Sequence, residues 1–112
     1  MSKFFVLYLA PPASIDKMMA NSTPEQREAG MAAWMTWMKS NAKALAEMGA
    51  PLGKTKRVTA EGVSGVRNDV TGYSIIEAES HEAAANMLAG HPHLQVPGAY
   101  IDVLSVTPIP GM

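Results

Sequence analysis

The sequence predicts a small α+β domain in which four antiparallel strands and two helices follow in the order βαββαβ. Three observations carry this. Short aromatic and aliphatic runs stand at both ends, FFVLYL at 4–9 and YIDVLSV at 100–106, with a third, TGYSIIEA, at 71–78. Thr23-Pro24-Glu25-Gln26 is a helix-opening signature, followed by apolar residues at three- and four-residue steps. Ser80-His81-Glu82 opens a second, shorter helix that Gly90 closes.

The elements follow in order. Phe4 to Leu9 lacks polar alternation, which predicts a central strand covered on both faces and stopped by Pro11-Pro12. Residues 13–22 read as irregular, with one helical turn at Asp16 to Met19. Thr23 is the expected N-cap, Pro24 the first helical residue and Gln26 the partner in a capping box. Met31, Trp34, Met35, Met38, Ala42, Leu45 and Met48 form one stripe that extends the first helix over 24–48, to Gly49. Ala50 to Gly53 and Thr55 to Ala60 read as a short edge strand and its continuation, guarded by Lys54, Lys56 and Arg57. Glu61 to Asp69 reads as a polar loop. In the third strand Tyr73, Ile75 and Glu77 share one face and Ser74, Ile76 and Ala78 the other. Tyr100 to Val106 is the last strand. The result is a ferredoxin-like arrangement, a four-stranded antiparallel sheet with both helices on one face, spanning residues 1–112 as one domain.

Composition narrows partners and compartment. At 112 residues the chain fits one core. Charged residues make up 17% against 47% hydrophobic, leaving a monomer little polar surface with which to cover itself. The strands are apolar on both faces while two helices cover only one, so a second copy of the sheet is the simplest cover, and a homodimer is expected. A net charge of −1 with scattered Lys and Arg argues against nucleic acid. No run is long enough to span a membrane. The absence of cysteine suits a cytoplasmic protein and removes thiolate chemistry.

The segments MAAWMTWMKSNAKALAEMGAPLGK, TGYSIIEAES, AGHPHL and GAYIDVLSVTPIPGM resemble the YCII-related family of dimeric α+β barrel proteins along nearly the whole chain. The resemblance implies a ferredoxin-like fold, a homodimer, and a pocket between helices and sheet near the dimer seam. Some relatives are proposed to use a first-helix histidine with the aspartate of an Asp-Pro pair. Here no histidine precedes His81, and His91-Pro92 stands at the Asp-Pro position, so that dyad does not transfer.

The candidate catalytic residues are His91, His93 and Asp102. An imidazole titrates near neutral pH, and a proline-held loop fixes its direction, so His91 is the candidate general base. The plain alternative is a histidine hydrogen-bonded to loop carbonyls or complementing a helix C-terminus. Asp102 is out of phase with Ile101 and Val103; on a covered face it would be paired or carry a raised pKa, and otherwise it makes an intersubunit ion pair or hydrogen bond. His-x-His with one distant carboxylate is a weak metal signal, and neither metal nor cofactor is expected. Trp34, Met38, Tyr73 and Tyr8 are the candidate ligand-lining residues, with Trp37 off the stripe at a pocket mouth or against a partner. Two functions remain open: a cofactor-independent lyase or isomerase acting on a small aromatic or enolisable metabolite, and a ligand-binding or regulatory dimer without turnover.

Overall fold

The computed structural model describes residues 1–111. Strand β1 (Ser2–Leu9) lies inside a four-stranded sheet of order β2-β5-β1-β6, flanked by β5 (Val70–Ala78) and β6 (Tyr100–Ser105), with β2 (Leu45–Pro51) on the outer edge of β5. Every neighbouring pair is antiparallel. With the residues between Pro51 and Val70 set aside, this is the ferredoxin-like order, and the chain has the α+β fold that its patterning predicts.

Period-two alternation decides which side chains meet. Phe4, Val6 and Tyr8 of β1 point to one face with Ser74, Ile76 and Ala78 of β5, and all six are buried. Ile101 and Val103 join them from β6, Leu45 from β2, and Ala84 and Leu88 from α3 (His81–Met87) and the turn after it. Trp34 and Trp37 of α2 (Pro24–Ser40) close the layer. On the other face Phe5, Leu7, Tyr73, Ile75 and Leu104 have no helix over them among the described residues, and Tyr100 and Asp102 share that face on the edge strand, where they also border α3.

Three expectations are corrected. Residues Pro12–Asn21 form a full helix, α1, rather than an irregular segment. Pro12 presets its first turn, but none of its residues is buried, and its apolar stripe of Ile15, Met18 and Met19 is only one turn long, too short to announce a ten-residue helix in sequence. The capping box at the start of α2 is present, with Gln26 N donating to Thr23 Oγ1 (3.1 Å) and Thr23 N to Gln26 Oε1 (2.9 Å). The helix nevertheless ends at Ser40, where Asn41 Nδ2 caps the Trp37 carbonyl at 2.9 Å. Leu45 and Met48, which extend the helical period in sequence, belong to β2, because this segment pairs with β5 and seats Leu45 beside Ile76, with Met48 in the irregular stretch between Glu47 and Ala50. Gly49 is a bulge residue at φ 77°, and a Cβ there would overlap the Tyr73 carbonyl oxygen.

The third correction concerns residues 55–66. β3 (Thr55–Thr59) leaves the main sheet and pairs with β4 (Gly62–Val66) in a separate hairpin, where a loop was expected beyond Ala60. β-branched Thr55, Val58, Thr59, Val63 and Val66 supply the strand character. The hairpin and α1 give the chain a spread form of 49 × 45 × 19 Å, with a radius of gyration of 15.8 Å. A compact chain of this length would have about 13 Å. Its accessible surface is 7876 Å², where about 5,900 Å² is usual for this mass. No helix is long and apolar enough to cross a membrane among the described residues.

Candidate functional site

The helical face holds an aromatic cluster built from three elements. β1 contributes Tyr8, the inner side of α2 contributes Trp34 and Trp37, and the turn after α3 contributes His91 and His93, which flank Pro92 at the start of a short 3₁₀ turn, Pro92–Gln95. Proline at the first position of that turn fixes its entry, and His91 caps it with its own ring: the His93 N–H donates to His91 Nδ1 at 3.0 Å. His93 in turn donates through Nε2 to the Leu9 carbonyl at 2.8 Å, tying the turn to the end of β1. Both histidines are buried, at 2% and 5% exposure.

His91 is the centre of the cluster. Its ring lies edge-on to Trp34 at 4.3 Å and to Trp37 at 4.5 Å between centroids, and 5.0 Å from Tyr8. Because a backbone N–H can only donate, Nδ1 must be the unprotonated nitrogen, and the proton of the neutral ring sits on Nε2. That Nε2 is buried and has no hydrogen-bond partner among the described residues. A buried donor left without an acceptor costs about 1–3 kcal/mol, and such groups are rare in native proteins. Burial, and secondarily the charge His93 can carry, push the His91 pKa down to about 4, so the ring is neutral at physiological pH. Burial raises the Tyr8 phenol, opposed by its 2.8 Å hydrogen bond with Ser74 Oγ, and Tyr8 stays protonated.

The candidate residues therefore divide. His91, His93, Trp34 and Tyr8 come together, and half-buried Trp37, expected at a pocket mouth or against a partner, packs on His91 as well. Met38 is half-buried on the same helix. Tyr73 lies on the opposite face of the sheet, where it stacks on Phe5 at 5.5 Å and donates to Glu47 Oε1 at 2.6 Å. Asp102 is also exposed on that opposite face, in register with Leu7, and no hydrogen bond joins it to either histidine among the described residues. The sheet separates His91 from Asp102, so the two do not share one cavity. Ser74 was missed, since only the strand register shows that it reaches Tyr8.

Two clefts lie outside the cluster. One of about 760 Å³ opens between α1 and the hairpin and includes Ile15, Leu52, Lys54, Lys56, Val66 and Arg67 in its walls. A smaller one of about 340 Å³ lies between α3 and β6 and is bordered by Leu88, Leu94, Ile101 and Asp102. Among the described residues no three His, Asp or Glu side chains gather to hold a metal ion, and one ring nitrogen of each histidine is committed to backbone.

No protein-family model matches the chain, and no curated protein matches it. Among solved structures, 5-chloro-2-hydroxyhydroquinone dehydrochlorinase (TftG) from Burkholderia phenoliruptrix AC1100, in complex with 2,5-dihydroxybenzoquinone, superposes with a TM-score of 0.55. The match covers 94% of this chain and 93% of that one, at 16% identity. The likeness is one of fold. At that identity it carries no residue assignment, and the site rests on the geometry above.

Proposed function

We propose that the chain is a YCII-related homodimer of one domain, cytoplasmic, whose aromatic cluster binds a small oxygenated ring compound against His91. The observation that carries the proposal is the buried, unpartnered Nε2–H of His91 between two indoles. It is a fixed donor in a water-poor site, suited to a carbonyl, enolate or phenolate oxygen of a flat ligand that stacks on Trp34 or Trp37. Both half-buried tryptophans pack edge-on to the ring, so ligand entry requires an indole to move aside.

The chemistry that this donor supports is stabilisation of developing oxygen charge. His91 is poorly suited to be a general base, because its free lone pair is already taken by the His93 N–H. A quinone- or phenol-type substrate undergoing elimination or isomerisation develops negative charge on oxygen, and a neutral imidazole donor lowers that barrier without a cofactor. The hydroquinone substrate in the name of the fold neighbour is of this class. His93 positions the turn, while Asp102, on the open face, serves the subunit interface.

The dimer is supported by surface area. The excess over a compact chain is about 1,900 Å² per protomer, within the range of obligate homodimer interfaces when both sides are counted. The open sheet face, apolar at Phe5, Leu7, Ile75 and Leu104, is the surface to be covered.

A second reading, ligand binding without turnover, is favoured by the lack of any carboxylate hydrogen-bonded to His91 among the described residues. Fluorescence separates these outcomes. The two tryptophans of the chain both touch His91, so titration with 2,5-dihydroxybenzoquinone should quench their emission saturably in the wild type and about tenfold more weakly in His91→Asn. Asparagine keeps an acceptor for the His93 N–H and removes the Nε2 donor. Equal affinity in both proteins sinks the site assignment. Binding with no consumption of halogenated or hydroxylated hydroquinones favours the non-catalytic reading.

A further inference from the structure

We propose that the β3–β4 hairpin is an intersubunit arm: its Val58–Val63 face and Lys54 and Lys56 receive the acidic corner Glu77, Glu79 and Glu82 of a second copy of this chain. The proposal rests on the homodimer reading and goes beyond the sheet face that reading uses. A two-stranded hairpin standing alone is at best marginally stable in water, and this one pairs only with itself. Val58 and Val63 are directly opposed in the ladder, so both project from one face, and they are 75% and 68% exposed. Lys56 projects from that face too, by period-two alternation from Val58, and it lines the cleft of about 760 Å³ with Lys54 and the apolar Ile15, Leu52 and Val66. The only ion pair in this region ties Arg67 to Asp16 at 2.9 Å, so it leaves both lysines unneutralised among the described residues. An apolar cleft rimmed by two free cations fits an acidic, partly apolar protein element.

The chain carries such an element at the other end of its sheet. β5 runs from Val70, beside the hairpin, to Ala78, and Glu77, Glu79 and Glu82 follow around its far end and the start of α3. Lys3 stands opposite Glu77 in the β1–β5 ladder, and no ion pair joins the three glutamates to a cation among the described residues. Eight steps of about 3.3 Å along these nine residues place the two ends about 26 Å apart, too far to meet within one chain. A two-fold axis perpendicular to the strands brings each basic cleft to the other copy's acidic corner, and both contacts form at once. Parallel alignment would instead place like charges together. The arm thereby selects the antiparallel dimer and accounts for part of the excess surface.

Sedimentation equilibrium over a concentration series tests this. Lys54→Glu/Lys56→Glu and Glu79→Lys/Glu82→Lys should each weaken the wild-type dimer about tenfold or more, and the four substitutions together should restore affinity to within about threefold. Val58→Thr/Val63→Thr, which keeps strand propensity, should also weaken it about tenfold. Tryptophan emission, which reports the distant His91 cluster, checks folding in each variant. A wild-type dimer unchanged by these variants, or one not restored by the combined charge reversal, overturns the arm while leaving the sheet-face dimer standing. A wild-type chain that sediments at 11.9 kDa at micromolar concentration overturns the dimer reading itself.

Discussion

Acid should destabilise this protein through His91 in a measurable and removable way. The ring has a pKa of about 4 when folded, against 6.5 when exposed in the unfolded chain. Between those values the unfolded state binds the proton that the folded state refuses, so stability is complete above pH 6.5 and declines as pH falls toward 4. Each pH unit crossed in that window costs up to about 1.36 kcal/mol, so the group removes about 2 kcal/mol by pH 5 and about 3 kcal/mol by pH 4. Burial is the larger cause of the depressed value and the neighbouring His93 the smaller one. Exposed carboxylates such as Asp16, held below its usual range by Arg67, also titrate at the acid end. They are common to wild type and His91→Asn, and they cancel in the difference. Urea unfolding at fixed protein concentration, followed by circular dichroism at pH values from about 7.5 down to about 4.5, gives the two slopes. The wild type should lose about 2 kcal/mol more than the variant between about pH 7.5 and pH 5. Parallel slopes, or an NMR titration of His91 centred near the exposed value of 6.5, would refute the buried neutral imidazole.

Other expectations follow from single contacts. Tyr8→Phe strands the buried Ser74 hydroxyl and should cost about 1–2 kcal/mol in denaturant unfolding, part of which Tyr8→Phe/Ser74→Ala recovers. Gly49→Ala places a Cβ against the Tyr73 carbonyl oxygen at a positive φ and should cost about 2 kcal/mol or more; a wild-type melting temperature would show that the bulge is not needed. Thr23→Ala breaks the capping box and should cost about 1 kcal/mol, read as a fall in the denaturation midpoint without a change in slope.

The legible parts of this fold were those where local chemistry and tertiary need agree. The capping box at Thr23 and Gln26, the alternation of 71–78 and the Ser80 cap all describe their elements well. The stripe from Met31 to Met48 misled because Leu45 and Met48 satisfy a helical period by coincidence, while the open edge of β5 demands a strand. Gly49 looks like a helix stop in sequence, and only its contact with Tyr73 reveals a bulge. The hairpin was hidden because Gly62, Ser64 and Gly65 read as loop residues, and their strand state depends on pairing with Thr59, Arg57 and Lys56. At the site, the His-Pro-His turn and Trp34 were readable as chemistry-bearing residues near a helix–sheet junction. The face of Asp102 was not, since alternation assigns two faces but does not say which one the helices cover. Nor does sequence reveal the His91 tautomer, which a single backbone N–H decides.

The central claim is that the buried donor of His91 is kept for a ligand oxygen. A crystal structure of the protein soaked with 2,5-dihydroxybenzoquinone tests it most directly. The account predicts a ring stacked against Trp34 or Trp37 with one oxygen about 2.7–3.1 Å from His91 Nε2. A ligand seated only in the cleft beside α1, or on the open sheet face near Asp102, with the indoles unmoved, would contradict it.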